Sequence, residues 1–106
     1  MNQIVCVGRL VNDIERIEEN GKEIARITLA IPRAYKNADG VYETDFVDFT
    51  LWNTIGLSNI EYINKGDLIG VKGRVQTYTY ETEDGIKHKK TELVADRLTF
   101  LGSKEK

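Results

Sequence analysis

From Thr44 to Trp52 the chain alternates residue by residue, and a period of two admits a strand and little else. Val47, Phe49 and Leu51 fall on one side and make an apolar face suited to a core. Phe46, Asp48, Thr50 and Trp52 fall on the other. A face that meets water should be polar, yet this one carries two large aromatics among small polar groups. Burying such rings would recover much hydrophobic free energy. Either a partner chain covers them, or they form a platform on which flat ligands stack.

Turn signals divide the chain into five strand-like stretches, at residues 3–18, 23–33, 41–53, 67–81 and 87–101. Asn20-Gly21 closes the first, Asn37 to Gly40 forms a loop, and Glu83-Asp84-Gly85 marks the last hairpin. In the second stretch Ile27, Leu29 and Ile31 alternate with Thr28 and Ala30. Between the third and fourth, Leu57, Ile60 and Ile63 recur every three residues and predict a short helix from Ile55 to Asn64. Gly66 and Lys65 suit its C-terminal end. Three strands, a helix and two strands in 106 residues predict an all-β, five-stranded OB-fold barrel with one short helix between strands 3 and 4. The barrel domain runs from 1 to 101, with a short tail at 102–106. Gly8, Gly70 and Gly73 are expected to permit its bends, and Pro32 is expected at an edge or a strand end.

The formal net charge is -2 and the pI about 5.4, which counts against a simple electrostatic binder of nucleic acid. Any such function must rest on local patches. No apolar run is long enough to span a bilayer, and no signal segment opens the chain. The lone Cys6 has no internal disulfide partner. These features lead to an expectation of a cytoplasmic protein without membrane contact. The sequence shows no Gly-rich phosphate loop, no metal-ligand spacing and no second histidine beside His88. We therefore expect no enzyme activity, no cofactor and no metal.

The fourth stretch repeats the pattern of the third. Ile69, Val71, Val75 and Thr77 share one face, and Lys72, Arg74, Gln76, Tyr78 and Tyr80 share the other. Tyr35 stands between Arg33 and Lys36, and the run Lys87-His88-Lys89-Lys90 opens the fifth stretch. Single-stranded nucleic acid asks for this mixture, because bases stack on rings and phosphates need cations. Each element has a plainer reading: aromatics fit pleated sheets, and a lysine run suits a solvated hairpin. Their convergence favours a site made of Arg33, Tyr35, Lys36, Phe46, Trp52, Lys72, Arg74, Tyr78, Tyr80, Lys87 and Lys89. The first stretch is apolar on both faces, with Ile4, Cys6 and Leu10 against Val5, Val7 and Val11. Its outer face needs a cover, either from the chain itself or from a second subunit. Ile4, Val5, Cys6 and Val7 are the candidate interface.

Taken in order, these segments resemble the bacterial single-stranded DNA-binding proteins of the OB-fold type. The likeness runs from Asn2 to Leu101. It rests on Ile4 to Leu10, Asp13 to Glu15, Thr28 to Ile31 with Arg33, Asp45-Phe46 to Leu51-Trp52, Tyr62 to Asp67, Gly73 to Thr77, Tyr80-Glu81, Gly85 and Thr91-Glu92. The resemblance implies non-specific binding and protection of single-stranded DNA in replication, repair, recombination or DNA transfer. It implies stacking on Tyr35, Phe46, Trp52 and Tyr80. It also implies a homotetramer, or at least a dimer, in which first strands pair. The chain departs from that pattern at Asp48, where a neutral or basic residue is common, at Asn53 and Tyr78, where Arg is frequent, and at Pro32 and Ile14, which replace a usual Asn and a usual Pro. The family's acidic, Phe-ended tail recruits replication and repair proteins; residues 102–106 do not resemble it, so those partners are not identifiable from this chain. Two alternatives stay open: a primosome-like OB-fold interaction module with weakened DNA binding, and an RNA binder on the same platform.

Overall fold

A small sheet with one apolar face can hide it by curling until the sheet covers itself. The computed structural model of the chain takes this form; it describes residues 1–19, 21–52 and 62–103. Six strands occur: β1 (Ile4–Leu10), β2 (Glu15–Glu19), β3 (Lys22–Lys36), β4 (Tyr42–Trp52), β5 (Leu68–Glu81) and β6 (Lys87–Gly102). They lie in the order β1-β5-β6-β4-β3-β2, and β1 also pairs with β3 at Arg9↔Ala30 and Leu10↔Leu29, which closes the ring. All pairings are antiparallel except β4 with β6.

The sixth strand comes from the first apolar stretch, which breaks after Leu10. Val11 donates its N–H to the Thr28 carbonyl, and the chain then enters β2, where Glu15 faces Arg26. One stretch thus serves two neighbours, β5 and β3, in turn. The helix expected from Ile55 to Asn64 lies, up to Glu61, outside the described residues. Its described end is not helical: Tyr62 sits in a turn, and no helix occurs among the described residues. Ile63 is nonetheless buried in the core. Gly66 takes a φ of 94°, in a turn where Asp67 Oδ2 accepts the Asn64 N–H at 2.8 Å. Gly66 in turn donates to the Leu10 carbonyl, which docks this turn on the end of β1.

The core has the inward faces that alternation predicts. Ile27, Leu29, Phe49, Leu51, Ile69 and Val71 are almost fully buried. Ile27 faces Phe49 and Leu29 faces Val47 across β3 and β4. Two glycines allow the ring to close. A Cβ on Gly8 would lie 2.7 Å from the Ala30 carbonyl oxygen, where β1 crosses onto β3. A Cβ on Gly73 would lie 2.0 Å from the Val94 oxygen, where the β5–β6 register shifts. Gly70 has ordinary clearance, 3.6 Å from Leu101, so no bend requires it. Pro32 lies past Ala30, the last β3 residue paired with β1, and just before a register shift in the β3–β4 ladder. Its missing N–H is tolerated there. Among the described residues, no helix is long and apolar enough to cross a membrane.

Candidate nucleic-acid interface

The parallel strands β4 and β6 meet at Thr50↔Val94. On the N-terminal side of that bridge each strand continues into its own hairpin arm. The β3–β4 arm ends in a turn where Asn37 Oδ1 accepts the N–H groups of Asp39 and Val41, each at 2.9 Å, and Gly40 has φ 77°. The β5–β6 arm ends where Asp84 Oδ1 accepts the Thr82 hydroxyl and the Ile86 N–H, with Gly85 at φ 82°. The Thr82 hydroxyl, and then the Ile86 N–H, hold the Asp84 carboxyl below its usual range. Between the diverging arms lies a cleft of about 670 Å³. Phe46 to Thr50 line it on one side, and Tyr78 with Lys90 to Leu93 line it on the other.

Register explains which side chains face this cleft. Directly paired residues point to the same face. The outer face of β4 therefore forms cross-strand rows with β3: Phe46 beside Ala30, Asp48 beside Thr28, Thr50 beside Arg26 and Trp52 beside Ile24. Phe46 is 65% exposed on this face. Trp52 is half-buried, and its indole N–H is buried without a hydrogen-bond partner among the described residues. The reason is its row: Ile17, Ile24 and Trp52 lie side by side across β2, β3 and β4, and Ile24 is almost fully buried. Trp52 thus covers apolar surface as well as offering a ring.

On the other arm, Tyr78 faces Lys90 and Tyr80 faces His88. Tyr80 and His88 stack with centroids 5.2 Å apart, and Tyr78 lies 6.2 Å from Tyr80 in a tilted arrangement. Lys87 and Lys89 face Glu81 and Thr79, so they occupy the opposite side of this arm. Lys90 is the lysine that joins the aromatic face, and it lines the cleft. Arg26 is a second cation there, exposed and without an ion pair among the described residues. Neither was among the sequence candidates. Counting outward from the turn at Thr82 to Ile86 would have found Lys90, and Arg26 shares the face of Thr28 by alternation.

The remaining candidates lie elsewhere. Arg33 is bound by two carboxylates: its Nε and Nη2 donate to Asp45 at 3.1 and 2.9 Å, and its Nη1 donates to Glu43 at 2.9 Å. The bond to Asp45 raises the guanidinium pKa further, and the same bond lowers that of Asp45. Tyr35, 68% exposed, lies just beyond Arg33, and Lys36 Nζ sits 5.7 Å from the Tyr42 ring centroid. Arg74 is ion-paired with Asp96. Lys72 pairs with Val5 of β1, six residues along β5 from Tyr78, or about 20 Å of strand. Neither cation lines the cleft. Asp48 is not neutralised by either of them; its Oδ1 accepts the Thr28 hydroxyl at 2.6 Å.

A separate surface involves β1. Ile4 and Cys6 pack against the core, and burial raises the Cys6 thiol pKa. Val5 and Val7 point outward and are exposed. Val7 and Leu101 both lie over Gly70, which leaves an apolar patch on the outside of the barrel. Among the described residues, no group of three or more His, Cys, Asp or Glu is placed to hold a metal ion.

Comparison with known proteins gives one consistent result. The Single-strand binding protein family model matches residues 1–101. Single-stranded DNA-binding protein B of Bacillus subtilis is 42% identical over 104 residues, which are 97% of this chain and 92% of that protein. Single-stranded DNA-binding protein 3 of Listeria innocua is 42% identical over 106 residues, 99% of this chain but 66% of its own length. The chain spans about three fifths of the Bacillus cereus single-stranded DNA-binding protein, at 40% identity. Among solved structures, the Plasmodium falciparum SSB complex with ssDNA superposes with a TM-score of 0.75 at 22% identity, covering 95% of both chains. The Saccharomyces cerevisiae mitochondrial protein Rim1 gives 0.70 at 22%, with the same coverage. These structures show that the fold is the OB barrel of single-stranded DNA-binding proteins.

Proposed function

This chain belongs to the single-strand binding protein family, and we propose that it binds single-stranded DNA without sequence-specific readout of the whole strand, along the cleft between its two arms. The observation that carries this reading is a pair of exposed rings on opposite walls, Phe46 and Tyr78, beside Arg26 and Lys90, which form no ion pair among the described residues. Bases would stack on the rings, and phosphates would follow the cations. Tyr35 and Tyr80, further out on the arms, extend the path. The protein would shield exposed strands during replication, repair, recombination or DNA transfer, as a binder rather than a catalyst. The relatives' names and the DNA in the Plasmodium complex support this reading.

The same reading includes self-association. Ile4 to Val7 of β1 pair with β5 on one side, while β3 pairs only from Arg9 onward. Among the described residues, that leaves an open strand edge beside an apolar outer patch of Val5, Val7 and Leu101. A second copy would add its own strand there and cover the valines. We expect a homotetramer or a dimer in the cytoplasm. Light scattering across a wide concentration range tests this, and a constant monomeric mass would remove it. Fluorescence titration with oligo-dT and oligo-rU at two salt concentrations tests nucleic-acid binding. Saturable quenching is expected; unchanged emission and unchanged gel mobility would favour an interaction module instead.

A further inference from the structure

The geometry points to Asp48 as a base-selecting residue: it favours bases that present an amino group, such as cytosine, over thymine at the subsite next to Phe46. The inference rests on the proposed binding of single strands in the cleft. Asp48 and Phe46 share the outer face of β4, two residues apart, so their backbones are separated by about 6.6 Å. That is comparable to the breadth of a base. A base stacked on the exposed Phe46 ring therefore brings its edge toward the Asp48 carboxylate. Both residues line the cleft, with Tyr78 across from them.

The carboxylate is held in place. Thr28 lies directly opposite Asp48 and donates its hydroxyl to Oδ1 at 2.6 Å. Oδ2 has no hydrogen-bond or ion-pair partner among the described residues. The cations of the cleft, Arg26 and Lys90, form no ion pair with it within 4.0 Å. An ionised carboxylate only accepts hydrogen bonds. The N4 amino group of cytosine is a matching donor, as are the amino groups of adenine and guanine. Thymine has no amino group: only its N3–H can donate, and the flanking O4 and O2 are acceptors that repel the carboxylate. A side chain that weakens phosphate attraction would thus discriminate among bases at this one position, on a surface otherwise indifferent to them.

The test compares oligo-dC with oligo-dT at mildly alkaline pH, where oligo-dC stays unstructured, on the wild-type chain, Asp48→Asn and Thr28→Val. Stacking alone gives each oligomer its own baseline, so the quantity read is the ratio of their affinities. Asn both donates and accepts, so Asp48→Asn should move that ratio several-fold toward oligo-dT and raise affinity for oligo-dT itself. Thr28→Val keeps the shape but releases the carboxylate, and it should shift the ratio the same way by less. An unchanged ratio in both variants, with all proteins binding, overturns base selection and leaves strand binding intact. Failure of the wild-type chain to bind either oligomer overturns the strand-binding reading, and this inference with it.

Discussion

The two hairpin arms flank one cleft, but they dispose of their charges in opposite ways. The β3–β4 arm holds its cation internally: Arg33 is bonded to Asp45 and Glu43, and Asn37 donates to Glu43 at 2.8 Å. The β5–β6 arm pairs rings instead, Tyr78 with Tyr80 and Tyr80 with His88, and leaves Lys90 without an ion pair among the described residues. On the proposed reading the first arm is a braced wall carrying Phe46 and Tyr35, and the second is the wall that would attract phosphate. Arginine suits the first task because its fork satisfies two carboxylates at once. The lesson is that a cation's place in the sequence does not reveal its task, whereas the carboxylates opposite it do.

The largest effect expected from this contrast is on stacking. Replacing Phe46 or Tyr78 by Ala should each weaken binding to single-stranded DNA by ~1–3 kcal/mol, the usual range for a base-stacking ring. Filter binding or anisotropy checks it. A loss at Phe46 alone would mean that one wall carries the strand. Trp52→Ala belongs apart from these, since Trp52 covers Ile24 and its loss should lower Tm as well as affinity.

Next comes salt dependence. Lys90→Ala and Arg26→Ala should each reduce the slope of log K against log salt by ~0.7, the single-strand value for one phosphate contact. Lys87→Ala, on the back of the arm, should leave the slope unchanged. Equal slopes for Lys87→Ala and Lys90→Ala would erase the distinction between the two faces.

Arg33→Ala sharpens the comparison from the braced side. The slope should stay near the wild-type value, while hydrogen exchange at the Asn37 to Val41 turn speeds up. A fall of the slope by ~0.7 would reassign Arg33 as a phosphate contact. The smallest effect is on pH. The hydrogen bonds from Arg33 lower the Asp45 pKa below its ordinary 3.8, so the brace is fully present above that value and is lost as pH falls through the lower folded value. Protection of the turn should therefore hold from neutral pH down to about the ordinary carboxylate value and decline only below it. A decline beginning near neutrality would exclude Asp45 as the brace.

The architecture was largely readable because one periodicity governs it. Val47, Phe49 and Leu51 fill the core as alternation predicts, and Phe46 and Asp48 stay outside. Alternation alone does not say which residue of another strand lies opposite. It therefore does not separate Lys90 from Lys87 and Lys89: one step of register decides the face. The role of Arg33 was hidden for the same reason, since Asp45 is twelve residues away and meets it only across the β3–β4 ladder. At Ile24 and Ala25 the rule itself fails, because both are buried, and Trp52 is half-covered as a result. Ile4 and Cys6 face the core while Val5 and Val7 face outward, so a doubly apolar strand divides into a packing half and an exposed half.

The central claim is that single strands lie between Phe46 and Tyr78. The most direct measurement is a Trp52 fluorescence titration with oligo-dT at low salt, run on the wild-type chain, Phe46→Ala, Tyr78→Ala and the double variant. Circular dichroism would verify the fold of each. The account predicts saturable quenching for the wild-type chain, an affinity loss of ~1–3 kcal/mol for each single variant, and a larger loss when both rings are gone. Four folded proteins that bind oligo-dT equally well would place the strand elsewhere on the barrel and contradict the account.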